Sequence, residues 1–155
     1  MVKIENLKAD ELISVLKLVQ NTYGEFNLNE GSKKAVLNYL AVHDSKNVSE
    51  LKPFFLGSTF VAKINNKLVG MIRVQWPDKI VQLFVDGNFH RKKIGTKLIK
   101  KVETEFLKKN AERIYIRASL FSIKFYKKNG FFETEKIQNY KGLKVQPMQK
   151  ILDCC

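Results

Sequence analysis

Over residues 10–23 the apolar side chains Leu12, Val15, Leu16, Val19 and Tyr23 return every three or four positions, which predicts an amphipathic helix. Ala35, Val36, Tyr39 and Leu40 repeat the pattern and predict a second helix over 32–42. VKIEN at 2–6 reads as a short first strand, YGEFNLNEG between the helices as a polar, aromatic-bearing loop, and 45–53 as irregular. From residue 57 the period falls to two. GSTFVAKI (57–64) and KLVGMIRV (67–74) predict a hairpin around Asn65 and Asn66, residues that tolerate the positive φ of a tight turn. Pro77 and Asp78 mark another turn, and the almost wholly apolar KIVQLFV (79–85) predicts a central strand. A helix over 94–110 with Leu98, Val102 and Phe106 on one face follows, then a strand at 113–118 and a helix at 119–129. FFETEKIQ (131–138) and LKVQPMQKIL (143–152) predict a final hairpin around 139–142. Helices crossing between strands imply an α/β fold with a mixed sheet of about seven strands covered on both faces.

A length of 155 residues predicts one domain spanning 1–155, and 45% apolar with 11% aromatic residues excludes a disordered or fibrous chain. There is no repeat, no low-complexity linker and no run near the roughly 20 apolar residues of a membrane span. MVKIENLKADEL lacks the apolar core of a signal peptide. Cys154 and Cys155, adjacent at the C-terminus, form neither a disulfide framework nor a spaced metal motif. These features predict a cytoplasmic protein with reduced thiols, no metal and no membrane partner.

Charge adds a functional clue. Residues 1–78 carry ten basic and eight acidic side chains, whereas 79–155 carry eighteen and seven. Such asymmetry suits an anionic partner, either nucleic acid, an anionic membrane or a multiply phosphorylated small molecule. Within the basic half, VDGNFHRKKIGT places His90, Arg91, Lys92 and Lys93 directly before a helix opening at Ile94, Gly95 and Thr96. The unpaired amides and positive dipole end of a helix N-terminus favour a phosphate there. A nucleic-acid-binding module would instead need basic residues interleaved with exposed aromatics over a continuous face. The aromatics fall mostly in predicted strand and helix cores, so a compact phosphate ligand is favoured over nucleic acid.

LFVDGNFHRKKIGTKLI resembles the acyl-CoA-binding motif of the GNAT superfamily, the CoA-dependent N-acetyltransferases. His90 takes the motif's Gln/Arg position, Lys93 its first glycine position and Gly95 its last, so two of three positions depart from the commonest pattern. ASLFSIKFYKKNGFFE (118–133) resembles the family's penultimate helix and following strand, with Ser119, Ser122, Tyr126, Gly130 and Phe131 on its landmark positions. Gly70 also falls where the family usually has glycine. The resemblance covers nearly the whole chain and is strongest over 57–133.

The resemblance implies a three-layer fold whose mixed, mostly antiparallel sheet has two splayed central strands, here 79–85 and 113–118. It implies acetyl-CoA as co-substrate, with Leu83, Phe84 and Val85 along the pantetheine arm. Arg91, Lys92, Lys93, Ile94, Gly95 and Thr96 would meet the pyrophosphate, with His90, Ser119 and Ser122 as further contacts. Tyr126 stands where members commonly carry the general acid that protonates the leaving thiolate. Asp86, Glu25, His43 and Asp44 remain open as bases, each with an ordinary structural alternative. On the acceptor side, Tyr23, Phe26, Phe54, Phe55 and Tyr140 offer aromatic surface, and Glu25, Glu30 and Asp44 negative charge. The implied partner is an amine, on a small molecule or on a protein, and the oligomeric state stays open, homodimers being common in the family. Tyr126 favours a catalyst over an acyl-CoA-binding sensor, an alternative that Lys93 keeps open.

Overall fold

The computed structural model describes residues 1–153; the terminal cysteines lie outside the described residues. Strand β1 (Val2–Asn6) leads through a 3-10 turn (Ala9–Glu11) into α1 (Leu12–Phe26), then α2 (Lys33–Val42) and α3 (Val48–Phe55). Strands β2 (Thr59–Ile64), β3 (Lys67–Gln75) and β4 (Lys79–Val85) follow, then α4 (Ile94–Lys108), β5 (Arg113–Ser119) and α5 (Ile123–Lys128). The chain closes with β6 (Phe132–Glu133), β7 (Gln138–Tyr140) and β8 (Leu143–Ile151). The sheet order is β1-β2-β3-β4-β5-β8-β6, with β7 also on β8, and every pair is antiparallel except β4 with β5. The fold is therefore mixed α/β around a mostly antiparallel sheet, as expected, with eight strands instead of about seven.

Each face of the sheet has its own apolar layer. Leu12, Val15, Leu16 and Val19 of α1 and Phe55 of α3 pack with Val61 and Met71 on one side. Ile94, Leu98, Ile99, Val102 and Phe106 of α4 pack with Ile72, Ile80, Ile114 and Met148 on the other. Gly70 permits the close seating of α4: a Cβ there would stand 3.2 Å from Ile94 and 3.3 Å from Leu98. Even an alanine there would require those side chains to give by a few tenths of an ångström. At the Asn65–Asn66 turn both residues take positive φ, 50° and 64°, as the hairpin requires.

Three expectations are corrected. Helix α1 runs on through Gly24, Glu25 and Phe26, shortening the polar loop. The stretch expected to be irregular contains α3, whose Val48, Leu51 and Phe55 keep helical spacing although Pro53 removes one backbone donor. Burial of Phe55 (1% exposed) offsets that loss. The strand expected over 131–138 breaks into β6 and β7. Pro147, which brings no N–H, stands opposite the break, and the Gln146 side-chain amide donates to the Glu135 carbonyl there (2.7 Å). Among the described residues no helix is long and apolar enough to cross a membrane.

Candidate active site

The site begins where β4 and β5 part. They pair only at Lys79–Tyr115 and Ile80–Ile116, and a register shift against β3 between Arg73 and Val74 bends β4 just beyond that point. The Asp86 N–H donates to the Val69 carbonyl, so by antiparallel alternation Phe84 and Gln82 bond toward β3. Leu83 and Val85 therefore turn their backbone groups into the gap. A cleft of about 700 Å³ occupies it, lined by Leu83 and Phe84 on one side and Ile116, Arg117 and Ser119 on the other.

The basic loop closes one end of β4. Asp86 accepts from the Asn88 N–H (2.9 Å), which makes it a turn residue and leaves it bonded away from the cleft. His90 turns back on its strand: Nε2 lies 2.7 Å from the Val85 carbonyl and the ring stacks on Phe26, centroids 4.8 Å apart. Arg91 and Lys93 both take positive φ, 65° and 61°. A lysine thus adopts here a left-handed backbone conformation that favours glycine. The Lys92 ammonium lies 5.3 Å from the Phe89 ring centroid. No side chain caps the start of α4 and no acidic residue stands in its first turn. Its opening amides, with three exposed cations just before them, suit a diphosphate. Gly95 answers a different need from phosphate approach: a Cβ there would stand 2.8 Å from the Phe125 ring, so its absence lets α5 pack against α4.

Ser119, Ser122 and Tyr126 line the cleft from the β5–α5 side. Ser119 Oγ makes no helix cap; it pairs with Ser122 Oγ at 2.7 Å, and Ser122 Oγ also donates to the Ser119 carbonyl. Tyr126 is 2% exposed, set edge-on against Phe125 and Phe131. Burial pushes its phenol well above the ordinary tyrosine range, so it stays protonated throughout the physiological range.

The opposite wall holds a polar network that sequence reasoning missed. Gln82 Nε2 donates to the Tyr39 hydroxyl (2.7 Å) and to His43 Nε2 (2.9 Å), while Gln82 Oε1 accepts from Arg73 Nε (2.8 Å). His43 Nδ1 donates to the Tyr39 carbonyl (2.7 Å), so the imidazole is neutral with Nε2 as acceptor. Burial, with Arg73 adding to it, holds the His43 pKa below its ordinary value. Burial likewise pushes the Tyr39 phenol up. A single glutamine inside an apolar strand was the available signal, since a buried amide must find partners.

The remaining acceptor-side candidates separate. Tyr23, Glu30, His43 and Tyr140 line the cleft, whereas Glu25 stands exposed beside Gly87 and Asp44 accepts from the Lys46 N–H at a turn. Phe55 is core, Phe54 is 65% exposed and outside the cleft, and Phe26 stacks between His90 and Phe121. Among the described residues no three His, Cys, Asp or Glu side chains gather as a metal site.

The sheet is thus mixed and parted between its parallel strands, with a basic helix-opening loop at one end of the gap. The family model described as Acetyltransferase (GNAT) domain matches residues 30–152. The chain belongs to the GNAT acetyltransferase family. No curated protein matches it significantly in sequence. Among solved structures it is similar to a GCN5-related N-acetyltransferase of Rhodopseudomonas palustris, at TM-score 0.86 and 17% identity over 97% of this chain and 95% of that one. It is also similar to the PaiA N-acetyltransferase of Thermoplasma acidophilum in complex with coenzyme A, at TM-score 0.72 and 16% identity, covering 97% and 99%. The acetyltransferase YncA of Salmonella typhimurium, described with acetyl-CoA as its cofactor, aligns at TM-score 0.68 and 14% identity over 99% and 95%.

Proposed function

We propose that this chain, as one domain over 1–155, moves an acetyl group from acetyl-CoA directly to a primary amine with both substrates bound. The observation that carries the reading is the gap itself: the backbone of Leu83 and the amide of Val85, the residue whose carbonyl His90 meets, face the opening between β4 and β5 that Tyr126 also lines. Acetyl-CoA supplies an acetyl group on a thioester, whose C–S bond breaks as the amine's C–N bond forms. Leu83 and Val85 hold the extended arm by strand-like hydrogen bonds, and their amides favour negative charge on the carbonyl oxygen. Phe84 flanks them. The amides of Ile94, Gly95 and Thr96 and the cations Arg91, Lys92 and Lys93 take the diphosphate, while His90 fixes the loop against Val85. Ser119 and Ser122 offer hydroxyls to the arm from the far side.

Tyr126 presents a neutral phenol to the leaving sulfur. A thiol has a pKa near about 8.5 and an ordinary tyrosine about 10, so full proton transfer to the thiolate runs uphill. Burial steepens that slope. Tyr126 therefore acts as a hydrogen-bond donor that stabilises the developing thiolate; the proton the amine nitrogen loses as the amide forms leaves to water, and water protonates the released thiolate.

Acetyl-CoA at about 100 times its Kd should stabilise the fold by roughly 2.7 kcal/mol, or about 5–10 °C in Tm, whereas duplex DNA should not. Absence of that shift would overturn the reading. In a thiol-release assay with an amine panel, Tyr126→Phe should lower kcat roughly 10²-fold with the acetyl-CoA Kd unchanged. Full turnover by that variant would remove Tyr126 from the chemistry.

A further inference from the structure

Glu30 and Arg73 both line the cleft, one buried and one partly buried, and neither has a counter-charge among the described residues. Glu30, at the end of the α1–α2 loop, is only 9% exposed. Its carboxylate accepts from the Asn27 side-chain amide and from the Phe121 N–H (2.6 Å), and among the described residues no lysine or arginine pairs with it. On β3, Arg73 lays its guanidinium over the Phe55 ring, 4.8 Å from the centroid, and spends one N–H on Gln82. Its terminal nitrogens meet no carboxylate among the described residues. Both side chains line the same cleft.

Neither charge is needed by the contacts it makes. Two neutral N–H donors need acceptors, which an amide or a water could help supply, and Gln82 Oε1 needs only one donor. Withdrawing an ion from water without a partner is costly, so an unpaired charge at a cleft wall, buried at Glu30 and partly buried at Arg73, points to a ligand that completes it. Between the two stands an aromatic wall: Tyr23 stacks on Tyr39 with centroids 4.1 Å apart, and the Tyr39 hydroxyl bonds Gln82, which bonds Arg73. Burial, with Glu30's charge adding to it, lifts the Tyr23 phenol to about 12, which keeps that wall neutral.

We infer that the acceptor is an amine that carries its own anionic oxygen group, its ammonium seated on Glu30 and its anionic end on Arg73. The inference rests on the acetyltransferase reading above and narrows its substrate. Two phenols and an amide separate the charges, so amine and anion sit several atoms apart, farther than in an α-amino acid's own head group. The linking chain lies along the Tyr23–Tyr39 wall. A carboxylate and a phosphate monoester share the chemistry that a guanidinium recognises.

The test takes the intact protein in two steps. Calorimetry with acetyl-CoA alone establishes whether the carrier binds; if it does not, the acetyltransferase reading fails and this inference fails with it. With binding in hand, kcat/KM is measured for ω-amino carboxylates of increasing length, aminoalkyl phosphates, and length-matched monoamines and α,ω-diamines. The best anion-bearing acceptor should exceed its matched monoamine and diamine by about tenfold or more, and the two anionic series tell carboxylate from phosphate. Arg73→Met should erase that preference through KM for the anionic acceptors, leaving the monoamine value and the acetyl-CoA Kd in place, and Arg73→Lys should keep part of it. Glu30→Gln should raise KM for every amine. Acetyl-CoA binding with no preference for anion-bearing amines overturns the inference alone. So does an Arg73→Met variant that falls equally on monoamines and anionic acceptors. The wild-type substrate series decides the matter even if a variant fails to fold.

Discussion

Lys93 offers the sharpest test of how this loop is built, because it adopts at φ 61° and ψ 19° a backbone conformation that favours glycine. For an L-residue with a Cβ the left-handed region costs about 1–2 kcal/mol. Glycine would remove that cost but gives back about 0.5–1 kcal/mol through the greater freedom of its unfolded chain. The difference predicts that Lys93→Gly stabilises the fold by about 0.5–1 kcal/mol, or about 1–4 °C in Tm for a chain of this size. Lys93 is exposed, caps nothing and ion-pairs with no described residue, so loss of its side chain should cost little. Lys93→Ala is the control: it removes the same charge and keeps the Cβ. Thermal and urea unfolding of the three proteins should therefore rank Gly above Ala, with Ala within about 0.5 kcal/mol of the parent. Acetyl-CoA affinity should fall equally in both variants, since each loses one cation, and the loss should shrink with added salt. If Lys93→Ala proved as stable as Lys93→Gly, the left-handed backbone would not be the strained element argued here.

Two further outcomes concern the network on the opposite wall. Gln82→Leu strands the Tyr39 hydroxyl, His43 Nε2 and Arg73 Nε at once, and should cost about 2–4 kcal/mol in urea unfolding; a loss under about 0.5 kcal/mol would mean that the network contributes nothing. His43 is held below its ordinary pKa, so the unfolded chain protonates it first as pH falls. Its contribution is fully present above about pH 6.5 and is lost progressively below that, by at most about 1.4 kcal/mol per pH unit. Unfolding followed from about pH 7.5 to 5.5 should show this component in the parent and not in His43→Gln, and equal slopes would refute it.

The fold was legible where one physical rule dominates. Period-two alternation marked β2 and β3, the paired asparagines marked their turn, and Leu98, Val102 and Phe106 marked α4. Legibility failed where local signals conflict. Pro53 hid α3, although Val48, Leu51 and Phe55 kept a helical stripe, because a proline argues against helix locally while burial of Phe55 is decided by tertiary contact. The break between β6 and β7 is written in a different strand, at Pro147 of β8, so no reading of 131–138 alone could find it.

The candidate site divides along the same line. A carrier held by backbone needs a strand, a helix start and small residues in sequence, and residues 83–96 display that order linearly. Acceptor recognition needs side chains delivered from separate elements. Glu30 comes from a loop, Tyr39 and His43 from α2 and its end, Arg73 and Gln82 from adjacent strands, and only folding brings them to one wall. In the sequence Glu30 and His43 stood only among several acceptor-side candidates, and Tyr39 read as part of a helix's apolar side. What singles them out is unpaired charge beside fully paired polar groups, a property that exists only once partners can be counted in space. On the inference drawn above, acceptor specificity lies in the pairing of charges across that wall, and Arg73→Met should change the preferred amine without touching the strand edge.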